Sequence, residues 1–272
     1  MIDFLYAMLF GAIQGLTEFW PISSSGHLVI AHDVLKFDFI DSLSFDVALH
    51  LGTLVALFIY FWADIRRYIV AFARSIANFQ VKTDADQRLA WLLALGTLPA
   101  AGVGFFLGDW IESSVRAVWI VASMLILGGV LFILFERYLK RSRDLAGLGW
   151  RGALVIGIAQ AVALIPGVSR SGATILAGLG AGFSRSTAAR FSFLLSIPIV
   201  FAAGINQMLK VFSEGVSVDT WLLMAAGFLV SAIVGYGAIR FLLKFLTQHS
   251  LNVFGYYRIV FGLVLVAYLL AK

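Results

Sequence analysis

Apolar stretches of membrane-spanning length constrain this chain more than any other feature of its sequence. Crossing the hydrocarbon core of a bilayer, which is about 30 Å thick, takes roughly 20 helical residues. Six stretches reach that length, at approximately 43–63, 89–108, 117–135, 191–209, 221–243 and 254–271. Because 61% of the residues are hydrophobic and 13% are charged, a water-soluble fold could not cover its surface with polar groups. The sequence predicts an all-α integral membrane protein with six transmembrane helices.

Four further apolar segments are too short to cross a bilayer, and they occur in two pairs. Segments 4–19 and 26–37 form the first pair, and segments 152–165 and 172–183 form the second. A polar stretch interrupts each pair, and non-helical backbone is tolerated at membrane depth only where protein or a water-filled cavity covers it. We therefore expect two re-entrant helical hairpins, 1–42 and 152–183, with their tips buried in the protein.

The polar stretch of the second hairpin has the composition of an oxyanion site. It reads Pro-Gly-Val-Ser-Arg-Ser-Gly-Ala-Thr from Pro166 to Thr174. Glycines permit a tight turn, hydroxyl groups donate hydrogen bonds, and the guanidinium of Arg170 is a planar fork of donors suited to phosphate. If Ser171 or Gly172 begins a helix, its unpaired N–H groups point at the same anion. The candidate ligands are Ser169, Arg170, Ser171, Gly172 and Thr174.

The polar stretch of the first hairpin repeats the second at one constant offset along the chain. Gly11–Gln14 matches Gly157–Gln160, and Ser23–Gly26 matches Ser169–Gly172, with only the prolines displaced by one position. Self-similarity at a fixed spacing indicates an internal duplication. We predict one repeat over about 1–140 and a second over about 150–272, each a hairpin followed by three spans.

Basic residues in the loops predict how the two repeats are oriented. Loops 64–88 and 136–151 carry five Lys or Arg each, whereas loops 109–116 and 210–220 carry one each. Basic loops mark the cytoplasmic side, so the first two loops are expected inside and the other two outside. The first hairpin then enters from outside and the second from inside, which defines an inverted-topology repeat. Such proteins place their site where the repeats meet, near the bilayer midplane.

The first polar stretch adds ionisable groups that the second lacks. Gln14 and Glu18 are four residues apart, on one face of a short helix. A carboxylate at membrane depth is costly and therefore predicts function, although a purely structural pair between Glu18 and Arg170 is the alternative. Asp46 and His50, also four apart, favour a helix pair, with an extension of the site as the alternative.

Three serines followed by Gly26 and His27 allow two interpretations. A serine run before a helix is commonly an N-cap. If a helix begins near Ser23, however, Ser24 and His27 share a face, and a hydroxyl beside an imidazole is typical of an activated nucleophile or a proton relay. Because these serines match the stretch that contains Arg170, a functional role is favoured for Ser23, Ser24, Ser25 and His27.

These two stretches resemble a known family. Gln14 to His27, which reads Gln-Gly-Leu-Thr-Glu-Phe-Trp-Pro-Ile-Ser-Ser-Ser-Gly-His, resembles the (Glu/Gln)-x-x-x-Glu region and serine-rich tail of the bacterial undecaprenyl pyrophosphate phosphatases, also called bacitracin-resistance proteins. Pro166–Thr174 resembles their Pro-Gly-x-Ser-Arg-Ser-x-x-Thr motif at every defining position. The resemblance covers the whole chain. Gln14 occupies the first acidic position, so Glu18 is the only carboxylate of that pair.

The resemblance implies hydrolysis of undecaprenyl diphosphate to the monophosphate carrier lipid of cell-wall synthesis, together with bacitracin resistance. It implies a location in the bacterial inner membrane, a site that opens to the periplasmic face, and a divalent cation, Mg²⁺ or Ca²⁺. Glu18 would bind the metal, and Arg170 with Ser169, Ser171, Gly172 and Thr174 would hold the diphosphate. The remaining substrate contacts would come from Gln14, Ser23 and Ser25.

The resemblance leaves the nucleophile open between Ser24 and a water activated by Glu18 or His27. A translocase or transporter for a polyprenyl phosphate or another anion is the alternative function, because inverted repeats are a transporter architecture. The expected partners are the lipid substrate and membrane lipids, with no nucleic acid, and a homodimer stays open.

Overall fold

The computed structural model describes residues 2–33, 42–138, 144–214 and 217–271, and all regular structure in these ranges is helical. The helices are α1 Ile2–Phe19, α2 Ser24–Asp33, α3 Ser42–Tyr60, α4 Trp62–Ala77, α5 Ala85–Ser114, α6 Val118–Tyr138, α7 Trp150–Val162, α8 Arg170–Gly180, α9 Arg185–Glu214, α10 Val218–Phe245 and α11 Asn252–Leu270. A 3₁₀ turn at Leu145–Gly147 precedes α7.

Five of these helices are long and apolar enough to cross a membrane, namely α5, α6, α9, α10 and α11. Helices α3 and α4 together make a sixth candidate span, but they are bent by 80° at Phe61. The prediction of an all-α multi-pass membrane protein is confirmed. The prediction that 64–88 is a loop is wrong for its first half, because residues up to Ala77 form α4.

The two expected hairpins are pairs of short helices, α1 with α2 and α7 with α8. The chain turns between the partners at a serine in the left-handed region, with φ 73° at Ser23 and φ 72° at Ser169. Residues other than glycine rarely adopt such a φ, so the shared conformation at matched positions is a specific feature of the turn. The part of the first hairpin predicted at 34–37 lies outside the described residues. Insertion of the hairpins into the bilayer stays a prediction.

The first helix of each hairpin packs against the half of the chain to which it does not belong. Helix α1 lies along α10, and α7 lies along α5. Glycines make both contacts close: a Cβ on Gly11 would meet the carbonyl oxygen of Gly227 at 2.5 Å, and one on Gly157 would meet the backbone of Gly96. Between the halves, α6 packs on α11 and α3 on α9. Two copies of one unit that exchange their first helices would pack in this way. The repeat boundaries stay a prediction.

Contacts between loops place the most basic segments at one end of the molecule. The Arg88 guanidinium donates to the carbonyl of Ala146 at 2.7 Å, which joins the segment before α5 to the one before α7. At the same end, Arg190 of α9 pairs with Asp64 of α4 at 2.5 Å. Both loops expected to face the cytoplasm therefore lie together, and the side of the membrane they face stays a prediction.

The orientation can be tested by cysteine labelling, because the chain contains no cysteine of its own. Ser114 is exposed at the end of α5, and Lys82 is exposed just before its start. With a membrane-impermeant thiol reagent on intact cells, we expect Ser114→Cys to be labelled and Lys82→Cys to be labelled only after lysis. Labelling of Lys82→Cys in intact cells would contradict the assigned orientation.

Candidate active site

The carboxylate of Glu18 is the centre of a polar cluster that joins the two hairpins. It is 8% exposed and lies in the last turn of α1. Its Oε1 accepts a hydrogen bond from the Arg170 guanidinium at 2.7 Å, and its Oε2 accepts from the Ser24 hydroxyl at 2.5 Å and the Gln14 amide at 3.0 Å. Four of the predicted site residues, drawn from both polar stretches, therefore meet at one carboxylate.

His50 also reaches this cluster, from the middle of α3. Its Nε2 lies 3.8 Å from Glu18 Oε2, and its Nδ1 contacts the carbonyl oxygen of Asp46 at 2.8 Å. The sequence favoured a helix pair for His50, and the alternative, that it extends the site, matches the geometry better. The signal available in the sequence was a polar pair near the start of an otherwise apolar span.

The His27 ring is not hydrogen-bonded to Ser24 in the structure, because both its nitrogens have other partners. Its Nδ1 lies 2.7 Å from the Ser23 carbonyl oxygen, and its Nε2 lies 2.7 Å from the Tyr257 hydroxyl. The ring also stacks on Phe261 of α11, with centroids 4.7 Å apart. Because α2 begins at Ser24, the serine faces back towards the end of α1 while the histidine ring lies against α11.

Ser23 and Ser169 hold the first turns of α2 and α8 in the same way. The Ser23 hydroxyl accepts from the N–H of Gly26 at 3.2 Å, and the Ser169 hydroxyl accepts from the N–H of Gly172 at 3.1 Å. Each also lies within 3.4 Å of the hydroxyl of the serine two residues on. The N-cap interpretation therefore describes these two serines. Backbone held in this sparsely populated region costs free energy, and such positions cluster at functional sites.

The other hydroxyls of the second stretch are also bonded within the fold. Thr174 is 1% exposed, and its hydroxyl donates to the carbonyl of Arg170 at 2.7 Å and lies 2.5 Å from the hydroxyl of Ser192. The Ser171 hydroxyl donates to the carbonyl of Trp20 at 3.3 Å. Of the predicted ligands in this stretch, only Arg170 has its side chain at the Glu18 cluster. The hydroxyls instead fix the position from which Arg170 extends.

Arg258 is a residue that the sequence analysis missed. It lies on α11, is fully buried, and has no carboxylate partner among the described residues. Its guanidinium donates to the carbonyls of Pro21 at 3.2 Å and Gly167 at 3.0 Å, one in each polar stretch. It donates as well to the carbonyls of Met124 and Leu125 on α6. The signal was a lone arginine inside the apolar span 254–271, where an ionisable group is expensive.

A cavity of about 360 Å³ opens beside the cluster. Ser25, His50 and Pro166 line it next to the Glu18 cluster, and most of the remaining lining is apolar, including Leu28, Val47, Leu164 and Val200. A polar head at one end of an apolar cavity fits an amphiphile, with the anionic group at the arginine and the hydrocarbon in the cavity.

The described residues do not form a protein cage for a metal ion. They contain no group of three or more His, Asp or Glu side chains that could hold one. Glu18 is the only carboxylate in the cluster, and both its oxygens accept hydrogen bonds from the protein. This donor set fits a cation that takes most of its ligands from water and a bound phosphate, which is the usual way Mg²⁺ is held.

A helical bundle with membrane-spanning helices and a buried Arg–Glu–Ser cluster beside an apolar cavity defines a class: multi-pass helical membrane proteins with a polar site inside the bundle. Within this class, the family described as "Bacitracin resistance protein BacA" matches residues 7–264, and the chain belongs to that family. The expected resemblance is confirmed.

Curated relatives match along nearly the whole chain. A protein of Rubrobacter xylanophilus is 48% identical over 99% of this chain and all of its own length. A protein of Thermomicrobium roseum is 44% identical over 95% of both chains, and one of Desulforudis audaxviator is 43% identical over 97% of both. Each of the three is named undecaprenyl-diphosphatase.

The four carbonyl contacts of Arg258 predict a large stability effect. Arg258→Met keeps much of the volume but leaves several buried carbonyls without a donor, at about 1–3 kcal/mol each. We expect the melting temperature of the purified protein to fall by about 6 °C or more. The matched control is Arg240→Met, because Arg240 is exposed on α10. Equal, small changes in both variants would contradict a role for Arg258 in holding the two turns.

Proposed function

We propose that this protein hydrolyses undecaprenyl diphosphate, releasing the terminal phosphate and leaving undecaprenyl phosphate. The observation that carries the proposal is the Glu18 carboxylate, which joins the Ser24 hydroxyl of one hairpin to the Arg170 guanidinium of the other. A nucleophile, a base and a phosphate ligand are then in contact before any substrate binds. The names of the relatives support the same reaction.

In the proposed reaction, the Ser24 hydroxyl attacks the terminal phosphorus and gives its proton to Glu18, to which it is bonded at 2.5 Å. The bond between that phosphorus and the bridging oxygen breaks, and undecaprenyl phosphate leaves. Water then hydrolyses the phosphoserine, which releases inorganic phosphate and restores the serine. The net change is the consumption of one water for each diphosphate cleaved.

Arg170 changes partner in this proposal. In the absence of substrate its charge is compensated by Glu18 at 2.7 Å. A terminal phosphate offers the guanidinium a second acceptor with more charge, and preorganised donors aimed at the oxygens stabilise the charge of the transition state. As the guanidinium turns to the phosphate, Glu18 becomes free to accept the proton of Ser24. The buried pair thus has a structural role at rest and a catalytic one during turnover.

His27 and His50 have different places in the proposal. His27, held between the Ser23 carbonyl and Tyr257, would orient the start of α2 and, on release of Tyr257, serve as an acid or base for water. His50 lies near the same carboxylate oxygen as Ser24 and would help to keep Glu18 ionised. The remaining candidates, Gln14, Ser23, Ser25, Ser169, Ser171, Gly172 and Thr174, would shape the phosphate site around these groups.

Mg²⁺ or Ca²⁺ belongs to the proposal as an ion that enters with the diphosphate. Glu18 is the residue that would hold the ion, and the ion would neutralise part of the phosphate charge.

We further propose that the protein lies in the bacterial inner membrane with its site open to the periplasmic face. The basic segments at the opposite end support this orientation.

Release of phosphate separates this proposal from a translocase, which would bind the same lipid without cleaving it. The purified protein should release inorganic phosphate from a C55 diphosphate, and a chelator should suppress the release. Ser24→Ala should lower the rate by several orders of magnitude, since the attacking group is lost. The matched control Ser25→Ala should cost about tenfold, which corresponds to a single hydrogen bond of about 1.4 kcal/mol.

The same reaction, stopped with acid, identifies the nucleophile. A serine mechanism predicts a phosphoserine at Ser24, trapped by acid quench and found by mass spectrometry. If Ser24→Ala retained substantial turnover, water would be the nucleophile, with Glu18 or His27 as its base. Tight binding of the lipid with no phosphate release by the wild type would refute hydrolysis and favour the translocase.

Arg170 tests the phosphate contact, because lysine keeps the charge but not the planar fork. We expect Arg170→Ala to fold and insert yet to have no measurable turnover. Arg170→Lys should remain about a hundredfold to a thousandfold below the wild type, the usual cost of removing a preorganised donor. Each rate is divided by the amount of folded protein, which is measured by gel filtration. Near-normal turnover by Arg170→Lys would rule out a bidentate contact.

A further inference from the structure

The bend between α3 and α4 leaves α4 outside the set of spanning helices. The 19 residues of α3 rise by about 28 Å, which is close to the thickness of the hydrocarbon core. If α3 crosses the bilayer along its normal, the 80° turn that follows directs α4 along the membrane surface and not through it. Asp64, in the first turn of α4, pairs with Arg190 of α9, so the bend is fixed to the protein.

One side of α4 is packed against the protein. Ile65, Tyr68, Ala71 and Ser75 are buried, and the Ser75 hydroxyl accepts a hydrogen bond from the indole of Trp91 on α5 at 2.9 Å. This side accounts for the attachment of the helix.

An apolar strip runs along α4 next to its packed side, adjacent to Ile65. Trp62, Ile69 and Ile76 are spaced by seven residues and are 60%, 63% and 76% exposed. Seven residues are close to two helical turns, so the three side chains follow one line along the helix. On a helix that lies in the interface, such a line dips towards the acyl chains, with a tryptophan at headgroup level.

A basic row runs beside the apolar strip. Arg66, Val70 and Arg74 are four residues apart and exposed, and neither arginine has a hydrogen bond or ion pair from its side chain to the described residues. Arg67 differs, because it is held by Asp86 at 3.2 Å and by the Tyr68 hydroxyl at 2.6 Å. The row therefore presents two uncompensated cations.

These arginines line a cavity of about 450 Å³ between α4 and the start of α5. Trp62 and Val70 line it as well, together with Asp84 and Asp86. Both carboxylates are already engaged: Asp84 caps α5 by accepting from the N–H groups of Asp86 and Gln87, and Asp86 is paired with Arg67. The three arginines and two aspartates of the lining leave one positive charge in excess, and Arg66 and Arg74 are the arginines with no direct side-chain partner among the described residues.

We propose that α4 and this cavity form a binding site for one anionic glycerophospholipid of the adjacent leaflet. Its phosphate would lie between Arg66 and Arg74, and its acyl chains would follow Trp62, Ile69 and Ile76. A free phosphate or sugar phosphate would use the arginines but would leave the apolar strip without a partner. The site is separate from the Glu18 cluster and does not depend on the proposed hydrolysis.

Lipid binding to the purified full-length protein tests the proposal. Native mass spectrometry of the delipidated protein in detergent should show retention of added phosphatidylglycerol over phosphatidylcholine and phosphatidylethanolamine. The double variant Arg66→Gln, Arg74→Gln should bind phosphatidylglycerol about thirtyfold more weakly, since each arginine near an anionic headgroup contributes about a factor of five. The matched control Arg151→Gln, Arg240→Gln removes two exposed charges from α7 and α10, neither of which lines the cavity, and should bind as the wild type does.

A second variant separates a lipid from a soluble phosphate. Ile69→Ser, Ile76→Ser should weaken phosphatidylglycerol binding while both arginines remain, and soluble glycerol phosphate should bind weakly to all the proteins. If the α4 and control double variants lost phosphatidylglycerol binding equally, diffuse attraction between charges would explain the binding, and the proposed site would be refuted. A preference for phosphatidylethanolamine, or tight binding of glycerol phosphate with no effect of the serine substitutions, would also overturn the proposal.

Discussion

The structure depends on the rule that a charge buried among membrane helices must be compensated by protein groups. Glu18 and Arg170 satisfy each other across the two hairpins at 2.7 Å, and Arg258 is satisfied by carbonyls from both polar turns and from α6. Breaking either arrangement would leave a charge or several carbonyls without a partner in a site with little water. The two turns are therefore held opposite each other by the Glu18–Arg170 pair and by Arg258.

The predicted duplication would account for two turns with one backbone and unlike side chains. The matched serines Ser23 and Ser169 keep the same backbone conformation and the same cap, so the scaffold of the turn is common to both copies. The functional side chains have diverged: Glu18 matches Leu164, and Ser24 matches Arg170. Gln14 bonds to Glu18, whereas the side chain of its counterpart Gln160 has no hydrogen bond among the described residues. A carboxylate with a serine hydroxyl from one turn then faces a guanidinium from the other.

The sequence predicted most of the fold and about half of the site. Span lengths, the paired short helices and the meeting of Glu18 with Arg170 followed from apolar length, from spacing and from the cost of buried charge. Helix α4 was missed because its arginines suggested a loop, although they recur at helical spacing beside Trp62, Ile69 and Ile76. Arg258 was missed because it is a single cation within an apolar span and belongs to neither polar stretch.

By itself, the sequence determined that this is a multi-pass membrane protein with two related polar turns, because apolar length and local repetition are properties of contiguous residues. Only the tertiary structure decided which partners the side chains take. Ser24 bonds to Glu18 and not to His27, since the start of α2 faces the end of α1 while α11 brings Tyr257 to the histidine. These choices depend on helix packing between distant parts of the chain and on the direction of each hydrogen bond, and neither is encoded in local spacing.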